Sequence, residues 1–522
     1  MPRRVMRSSW TPTTVQKIFM SVKHNLFINR IAALTVLLCL PVCVSAQKYD
    51  RLLKRNLWND GSNMAALRLD SLDFSEASLS FAYTGGDFRN YNQSSSDLSG
   101  GALARSVNHL DKFSMTGTFG FSDTESRGMC GSMFIDPGYF PIDVSEFTPG
   151  RKSFQKYLVS GGISVPLSSG WMIGASLDFK SANAAKRKDL RYTGYKLDME
   201  FSPSVVYATE GFAAGLSLKV GRNTEIINAE QIGTSDTAPM AFLDEGLWLG
   251  NYQTWTGSGV HLKEPGVNGL PVYKNTLGAA VQFAAGGLFA EFGFDYFRAE
   301  VGERQNVWYR FRGPECSMKL DYRFGKNTLR GYVLYEYGTN RKSVLDKVTS
   351  GGVTLVKEYG SNKIRETGIL NVGVSYEWTN DAMVFGAGVS FLDRRDVVSV
   401  RYPFVSGREL MSGDVRAYAT LPFGKWEIGG EIGFMAGRSN DSEWTVSEVD
   451  SDVKAPFRHG ELYSVASEYE TIPRIDAGLG VTRYFRKGLF AAVRGSMTKA
   501  FSPEEIPGSW RYCAGMEFGL TF

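Results

Sequence analysis

Histidine and cysteine are scarce in this chain. Its 522 residues include four histidines and five cysteines. Beyond the N-terminus, His109, His261 and His459 fall in three separate predicted connections. A hydrolytic triad or a zinc site needs several such side chains to converge, and the sequence shows no such grouping. We therefore predict no enzyme activity, no cofactor and no metal site.

Long apolar runs and a dominant charge are also lacking. No segment approaches the roughly 18 consecutive apolar residues that a transmembrane helix needs, so we predict no helical span. Lys and Arg number 58 against 54 Asp and Glu, a net charge of +4. So small an excess over a long chain gives no reason to expect nucleic-acid binding. The sequence shows no low-complexity tract and no second domain.

The N-terminus has the pattern of an export signal. A short apolar run over residues 31–44 follows Lys23 and Arg30 and ends in Val44-Ser45-Ala46, a small-residue cleavage pattern. We predict a signal peptide over residues 1–46. Removing it leaves three cysteines at no metal-like spacing, and we predict no structural disulfide among them.

The C-terminus alternates between apolar and polar residues. Tyr512, Ala514, Met516, Phe518, Leu520 and Phe522 are separated by small or polar residues. Successive side chains of a strand point to opposite faces, so this segment has one apolar face. It resembles the closing strand of bacterial outer-membrane β-barrels, whose terminal phenylalanine belongs to the signal that the barrel-assembly machinery reads. That resemblance implies an assembly signal in Phe518, Leu520 and Phe522.

The same alternation recurs along the chain in segments of about nine residues, close to the 9–11 that a tilted strand needs to cross a bilayer. Short turns and long polar loops alternate between these segments, as transmembrane barrels require. Seventeen strands are plain, and bacterial single-chain barrels have even strand numbers. Gly100–Val107 is the only candidate for a missing descending strand between 77–84 and 113–121. Eighteen strands are therefore predicted, with 16 or 20 as alternatives.

The predicted fold is an all-β, transmembrane, antiparallel up-and-down β-barrel with short periplasmic turns and long extracellular loops. The barrel is expected over residues 76–522. Residues 47–75 precede the first strand, and they either enter the lumen as a partial plug or trail into the periplasm.

Two motifs carry a family resemblance. The stretch from Asn56 to Leu67 reads NLWNDGSNMAAL, and Gly85-Gly86-Asp87-Phe88-Arg89 follows the first predicted strand. Both are similar to motifs of a family of uncharacterised outer-membrane β-barrels from Bacteroidetes. That resemblance implies the same fold and location, with TonB-dependent receptors and surface lipoproteins as partners. It supplies no catalytic residues.

The polar face of the strands carries many charges, which predicts a hydrated lumen. A basic residue facing lipid at the bilayer midplane costs about 2–4 kcal/mol, so these side chains must point inward. The two signs are nearly balanced, which argues against a strongly ion-selective pore. Cross-strand pairs that stiffen the wall and a ladder for substrate are both compatible with this pattern. The lumen charges singled out are Lys319, Asp321, Arg323, Arg330, Glu336, Glu427 and Glu431.

Loop 222–274 is unusually apolar. Phe242, Trp248, Tyr252 and Trp255 lie in it, and so many apolar residues would not be left in water. They are predicted to form a constriction or to contact a ligand or partner, with packing inside the loop as the alternative. Basic residues in loop 180–195, Lys186 to Arg191, are predicted either to meet lipopolysaccharide phosphates or to be simply solvated.

These features predict an exported outer-membrane channel or transport component for small polar solutes, in contact with lipid and lipopolysaccharide. A non-transporting scaffold of a surface uptake complex is the alternative, and an outer-membrane enzyme is a more distant one. The sequence does not identify the solute.

Overall fold

The computed structural model covers most of the predicted mature chain. The described residues are 56–522, except for residues 189, 231–239, 255–269, 304–305, 351–352, 381–382, 401–404 and 442–458. The predicted signal peptide and Trp255 lie outside the described residues.

Twenty strands and one longer helix, α1 (His459–Thr471), occur in the described part of the chain. The strands are β1 (Phe74–Gly86), β2 (Ser96–His109), β3 (Ser114–Ser132), β4 (Asp143–Ser168), β5 (Trp171–Lys186), β6 (Arg191–Ala208), β7 (Phe212–Glu230), β8 (Met240–Asp244), β9 (Gly250–Thr254), β10 (Leu270–Ala285), β11 (Leu288–Glu303), β12 (Asn306–Phe324), β13 (Asn327–Ser350), β14 (Val353–Thr379), β15 (Val384–Val398), β16 (Ser406–Phe423), β17 (Trp426–Asp441), β18 (Arg474–Tyr484), β19 (Leu489–Ala500) and β20 (Trp510–Thr521).

Eighteen of these strands, β1–β7 and β10–β20, form a closed antiparallel barrel. Each pairs with its neighbour in the chain, β7 pairs with β10, and β1 pairs with β20 to close the ring. The predicted fold class and strand number are therefore confirmed. The strand expected at Gly100–Val107 is part of β2, which pairs with β1 and β3.

Apolar side chains cover the outside of the barrel. In β20, Tyr512, Met516 and Phe518 are each about half exposed, whereas Arg511 and Glu517, at alternate positions of the strand, point inward. The same alternation runs round the ring, so the exterior is an apolar band and the lumen is polar. An apolar band of this extent is unfavourable in water and is what a barrel presents to lipid, so the barrel spans a membrane. No helix in the described ranges is long and apolar enough to cross a membrane.

Several strands continue well beyond the predicted nine or so residues. The predicted loop 338–367 is largely strand, because β13 and β14 stay paired as far as Ser350 and Val353. The apolar stripe that guided the prediction ends at the membrane surface. Backbone pairing between strands continues beyond it. Helix α1 lies in predicted loop 437–471 and was not foreseen.

Besides helix α1, three described segments that bear on the site are not part of the wall. The N-terminal segment (residues 56–73) contains two 3-10 turns, Leu57–Asp60 and Met64–Leu69, and the second packs on β4, β5 and β6. The lid hairpin (residues 240–254) consists of β8 and β9, and β8 pairs with the start of β4. Residues 133–142 connect β3 to β4. We call the end of the barrel with the short turns, such as Gly286-Gly287 between β10 and β11, the turn end. The opposite end, with the long connections such as residues 133–142, is the loop end.

Candidate functional site: a lumen between two closures

The N-terminal segment is anchored inside the barrel near the turn end. Glu291 of β11 is buried, whereas the next residue, Phe292, is half exposed on the outer surface, so Glu291 points inward. Its Oε2 accepts hydrogen bonds from the Ser62 backbone N–H at 2.7 Å and from the Ser62 hydroxyl at 2.9 Å. Gln282 of β10 also donates to Glu291 Oε2, at 3.1 Å. These charge-assisted bonds fix the segment to the wall.

Wall glycines make room for this segment. A Cβ at Gly174 of β5 would lie 2.5 Å from the backbone nitrogen of Ala65, and a Cβ at Gly215 would lie 2.5 Å from Asn63 Nδ2. A side chain at Gly174 would require the backbone of the segment to move, and one at Gly215 would displace the side chain of Asn63. Ala65 is fully buried in this contact, so the backbone of the segment lies directly on the wall.

The lid hairpin crosses the opposite end of the lumen. Its strand β8 extends β4 through the register pairs Asp143↔Asp244 and Ser145↔Phe242. Its turn reaches β14 and β15, because a Cβ at Gly246 would lie 3.1 Å from Arg365 and 2.9 Å from Val398. Seven barrel strands separate β4 from β14 on the shorter side of the ring, so the hairpin spans nearly the full width of the mouth.

Glu245 ties the turn of the lid hairpin to the far wall. Its side chain is fully buried, and Lys342 Nζ of β13 lies 2.6 Å from its Oε1. The Tyr309 hydroxyl of β12 also donates a hydrogen bond to that oxygen. A buried carboxylate is strongly destabilising when its partner is lost, so this contact anchors the lid hairpin to the far wall.

Aromatic rings pack around the same turn. Trp248 is 5% exposed, and its ring lies 4.7 Å from that of Tyr91 and 6.5 Å from that of Phe242. Phe242 is fully buried, its ring is 5.3 Å from Tyr252, and Leu462 of α1 completes the cluster. The predicted apolar loop residues that the structure describes thus lie together inside the mouth, and Trp255 lies outside the described residues.

The turn also adopts an unfavourable backbone conformation. Leu247 and Trp248 have φ values of 53° and 61°, in the left-handed region that costs an L-residue roughly 1–2 kcal/mol. Neither residue is glycine, so packing must hold them there.

Residues 133–142 fold inward beside the hairpin. Met133 and Phe140 are buried in the large apolar cluster at the loop end, together with Phe297 of β11. The Ile135 backbone N–H donates to Glu225 at 2.7 Å, and Arg365 donates to the Pro141 carbonyl at 2.7 Å. Sequence analysis missed this second part of the lid, although FIDPGYFPI is as dense in apolar residues as the loop that it did select.

A cavity of about 140 Å³ lies in the lumen between the two closures. Its position can be followed along β11, where Glu291 holds the N-terminal segment, Asp295 lines the cavity and Phe297 joins the apolar cluster of the lid. The remaining lining residues are Tyr139, Asp198, Glu200, Lys219, Gly221, Arg222, Asn223, Lys274, Thr276 and Glu315.

The lumen charges singled out from the sequence lie on the inward face of β12, β13 and β17. Lys319 Nζ is 3.5 Å from Glu291 Oε1, and Arg330 Nη1 is 3.5 Å from Glu377 Oε2. These contacts favour the interpretation of cross-strand pairs that stiffen the wall. The other predicted lumen charges are Asp321, Arg323, Glu336, Glu427 and Glu431. None of the seven lines the cavity.

The predicted basic loop is partly internal. Lys186 is 3% exposed, forms an ion pair with Glu146 and donates to the Thr148 carbonyl at 2.6 Å, so it cannot reach lipopolysaccharide. Arg187 and Lys188 are exposed. The alternation pattern could not distinguish the buried Lys186 from the exposed Arg187 and Lys188. It does not show that the end of β5 lies against Glu146 of β4.

The predicted assembly signal closes the barrel. Phe522 and Ser75 exchange two backbone hydrogen bonds of 2.8 and 2.9 Å. The Phe522 ring is 41% exposed and Phe518 is 52% exposed on the outer surface. Leu520 is half-buried in the same strand. The terminal residue thus completes the β1–β20 seam.

Comparisons with known proteins identify a family and a general likeness. The model of a family of unknown function (DUF6850) matches residues 64–522, whereas no curated protein matches the chain. A mutant of the ferric enterobactin receptor PfeA from Pseudomonas aeruginosa is 9% identical, with a TM-score of 0.40 over 86% of this chain and 80% of that one. The FrpB iron transporter from Neisseria meningitidis is 9% identical, with a TM-score of 0.41 over 88% and 82%. The copper transporter OprC is 9% identical, with a TM-score of 0.38 over 85% and 80%. Likeness at this level transfers no ligand and no transport route.

Proposed function

The chain belongs to that family of unknown function, since the family model covers residues 64–522, and we propose that it is a gated outer-membrane barrel that passes small polar solutes. The expectation of an uncharacterised family is confirmed at this level. Its origin in Bacteroidetes and its association with TonB-dependent receptors stay predictions. The observation that carries the proposal is a polar lumen closed by a lid hairpin that is anchored across the mouth.

The size and lining of the barrel support passage of water-soluble compounds. Barrels of 16–18 strands enclose an aqueous channel unless something fills them. Here two separate bodies among the described residues, the N-terminal segment and the lid, fill part of it, with a cavity between them. The lid is held by a few specific contacts around Glu245 and by a strained turn. Such contacts can be released without unfolding the wall.

The location is part of the proposal. The apolar exterior supports a membrane-spanning barrel, and the predicted signal peptide over residues 1–46 would deliver it to the outer membrane. We assign the loop end to the cell exterior and the turn end to the periplasm. Lipopolysaccharide and the barrel-assembly machinery remain proposed partners, and we assign the chain no catalytic step.

One observation favours the alternative of a scaffold for a surface complex. Beyond the wall, β13 and β14 project from the loop end as a two-stranded ribbon. Val344, Val348 and Tyr359 on this ribbon are 39–58% exposed. Apolar side chains on a free ribbon suit contact with another protein. A barrel that never conducts would make this function the better one.

Single-channel recording in planar bilayers tests the proposal. We expect weak or intermittent conductance from the intact protein, and a larger, steadier one when residues 236–260 are deleted. The deletion removes the lid hairpin and leaves the wall strands intact. Unchanged conductance would show that the hairpin is not the constriction. If both forms are silent, the scaffold function is favoured.

Lid opening should depend on pH. Asp143 and Asp244 are paired across β4 and β8, outside the membrane-spanning part, and burial raises the pKa of Asp143 to about 7 and of Asp244 to about 6. Lys152 and Arg365 face them and oppose the shift only in part. The closed lid therefore binds more protons than the open one, and closure weakens as pH rises.

Open probability should accordingly rise between about pH 4, near the ordinary pKa of an aspartate, and about pH 7, the raised pKa of Asp143. Replacing both carboxyls with amides, Asp143→Asn with Asp244→Asn, should flatten this profile. Asp111→Asn in an exposed turn at the other end of the barrel is the control. A profile that falls with pH, or one that the double variant retains, would contradict this role for the two carboxyls.

The N-terminal segment should be displaced by Gly174→Val. The added side chain has no space beside Ala65, so we expect the segment to leave the wall and become sensitive to protease added at the turn end. Gly429→Val is the matched control, since a Cβ at this inward-facing glycine meets nothing closer than 3.7 Å. Equal protease resistance of both variants would show that the segment is not held at Gly174.

A further inference from the structure

The cavity between the closures contains both signs of charge. Lys219 is already neutralised, because its Nζ lies 2.8 Å from Asp295 and 3.5 Å from Glu200. Lys274, Asp198 and Glu315 also line the cavity. How these three side chains are compensated decides what the cavity can bind.

Lys274 has aromatic partners, and no carboxylate among the described residues lies within ion-pair distance of its Nζ, although Glu336 and Glu315 act on it from further away. Its Nζ lies 4.5 Å from the centre of the Tyr139 ring and 4.7 Å from that of Phe297. These rings hold the ammonium at the edge of the cavity. In a partly buried site, such cation–π contacts stabilise an ammonium less than an ion pair with a carboxylate does. The ammonium therefore has donors available for an anionic group.

Glu315 and Asp198 are the complementary groups. Neither forms a hydrogen bond or an ion pair with any residue that the structure describes. Glu315 is also flanked by like charges, since its register partners on the two neighbouring strands are Asp295 and Glu336. Like charges directly opposite each other in a sheet are destabilising, so this wall of the cavity favours a cation.

We propose that the cavity binds a small zwitterion of the free amino acid class. Its carboxylate lies at Lys274, and its ammonium lies at Glu315. The inference rests on the proposed function and names the class of solute that passes. A volume of about 140 Å³ corresponds to the space of several water molecules, which suits a solute of a few heavy atoms.

Simpler ligands satisfy only part of the site. A lone cation would leave the Lys274 ammonium without an anion, and a lone anion would add to the negative charge of Glu315 and Asp198. A neutral sugar would leave both ends uncompensated. Only a solute that carries both charges meets both needs at once, because unpaired charged groups in a partly buried cavity are costly.

Titration calorimetry on the purified protein in detergent tests this inference, with L-alanine, ethylamine and propionate as probes. L-Alanine carries both charges, and the other two probes carry one each on a similar frame. We expect L-alanine to bind about tenfold or more tightly than either single-charge probe, since each loses a charge-assisted contact. Measurements on the 236–260 deletion as well ensure that a closed lid does not hide the site.

Two variants assign the ends of the ligand. Glu315→Gln should weaken L-alanine and ethylamine but not propionate, and Lys274→Met should weaken L-alanine and propionate but not ethylamine. Lys326→Met in an exposed turn is the control and should change nothing. Heat-dependent migration on gels shows that each variant is folded, so a lost signal is not a lost barrel.

The outcomes separate the inference from the proposed function. Absence of L-alanine binding in both lid forms, or equal binding of all three probes, overturns the zwitterion site even if the lid deletion conducts. Selective L-alanine binding that the two variants alter as expected supports the site. It does so even if no form conducts, and in that case the proposed passage fails while the binding site stands.

Discussion

Reversing the charge of Glu245 with lysine is expected to open the barrel. Glu245 is fully buried against Lys342 and Tyr309, and Glu245→Lys places two ammonium groups in contact there. Breaking a buried pair costs about 3–5 kcal/mol, and we take the lower end because Lys342 is 39% exposed. A shift of that size moves the closed–open equilibrium about a hundredfold toward open.

Single-channel open probability measures this effect, and two variants control it. Glu210→Lys reverses a charge in an exposed turn at the far end of the barrel and should leave gating unchanged. The exchange of both charges, Glu245→Lys with Lys342→Glu, restores the pair and should restore closure in large part. If Glu245→Lys stays as closed as the intact protein, the far-wall anchor does not hold the lid.

Replacing Phe522 with aspartate is expected to reduce assembly far more than stability. The backbone bonds to Ser75 do not depend on the side chain. The ring is only 41% exposed at the barrel rim, where a charged residue costs about 0–1 kcal/mol. Refolded Phe522→Asp protein should therefore unfold at nearly the same denaturant concentration as the intact protein.

Assembly in cells should behave differently, because we propose that the barrel-assembly machinery recognises the terminal aromatic residue. Surface levels of Phe522→Asp should fall severalfold while synthesis stays the same, and Phe522→Tyr should be nearly normal. A variant that assembles normally would reject the signal. A variant that is equally destabilised in refolding would show that Phe522 is structural only.

The barrel itself could be predicted because the membrane acts on local sequence. Lipid outside and water inside impose a period of two on every strand, so Phe518 and Glu517 already reveal their faces in the sequence. The closing contact of Phe522 follows from the same pattern. Strand ends could not be predicted, since β13 and β14 continue in water, where that contrast between the two faces disappears.

The closures depend on contacts between residues that are distant in the chain. The sequence singled out Phe242 and Trp248 as apolar loop residues, but nothing near Glu245 shows that Lys342 lies across the mouth. The site of the N-terminal segment is similar. Gly174 resembles any strand glycine until Ala65 is seen against it. The balanced lumen charges likewise concealed Lys274 and Glu315, which differ from the other lumen charges in having no ion pair with any described residue.

The most direct test of a closed lid is chemical access to the lumen. Glu336 is on the inward face of β13 beside Glu315, at the level of the cavity between the two closures, so Glu336→Cys places a thiol beneath the lid hairpin. Cys130, Cys316 and Cys513 would be replaced by alanine. We expect a membrane-impermeant maleimide added at the loop end to label this thiol slowly in the otherwise intact protein, and much faster once residues 236–260 are deleted. Equal rates in the two proteins would contradict closure of the mouth by the lid hairpin.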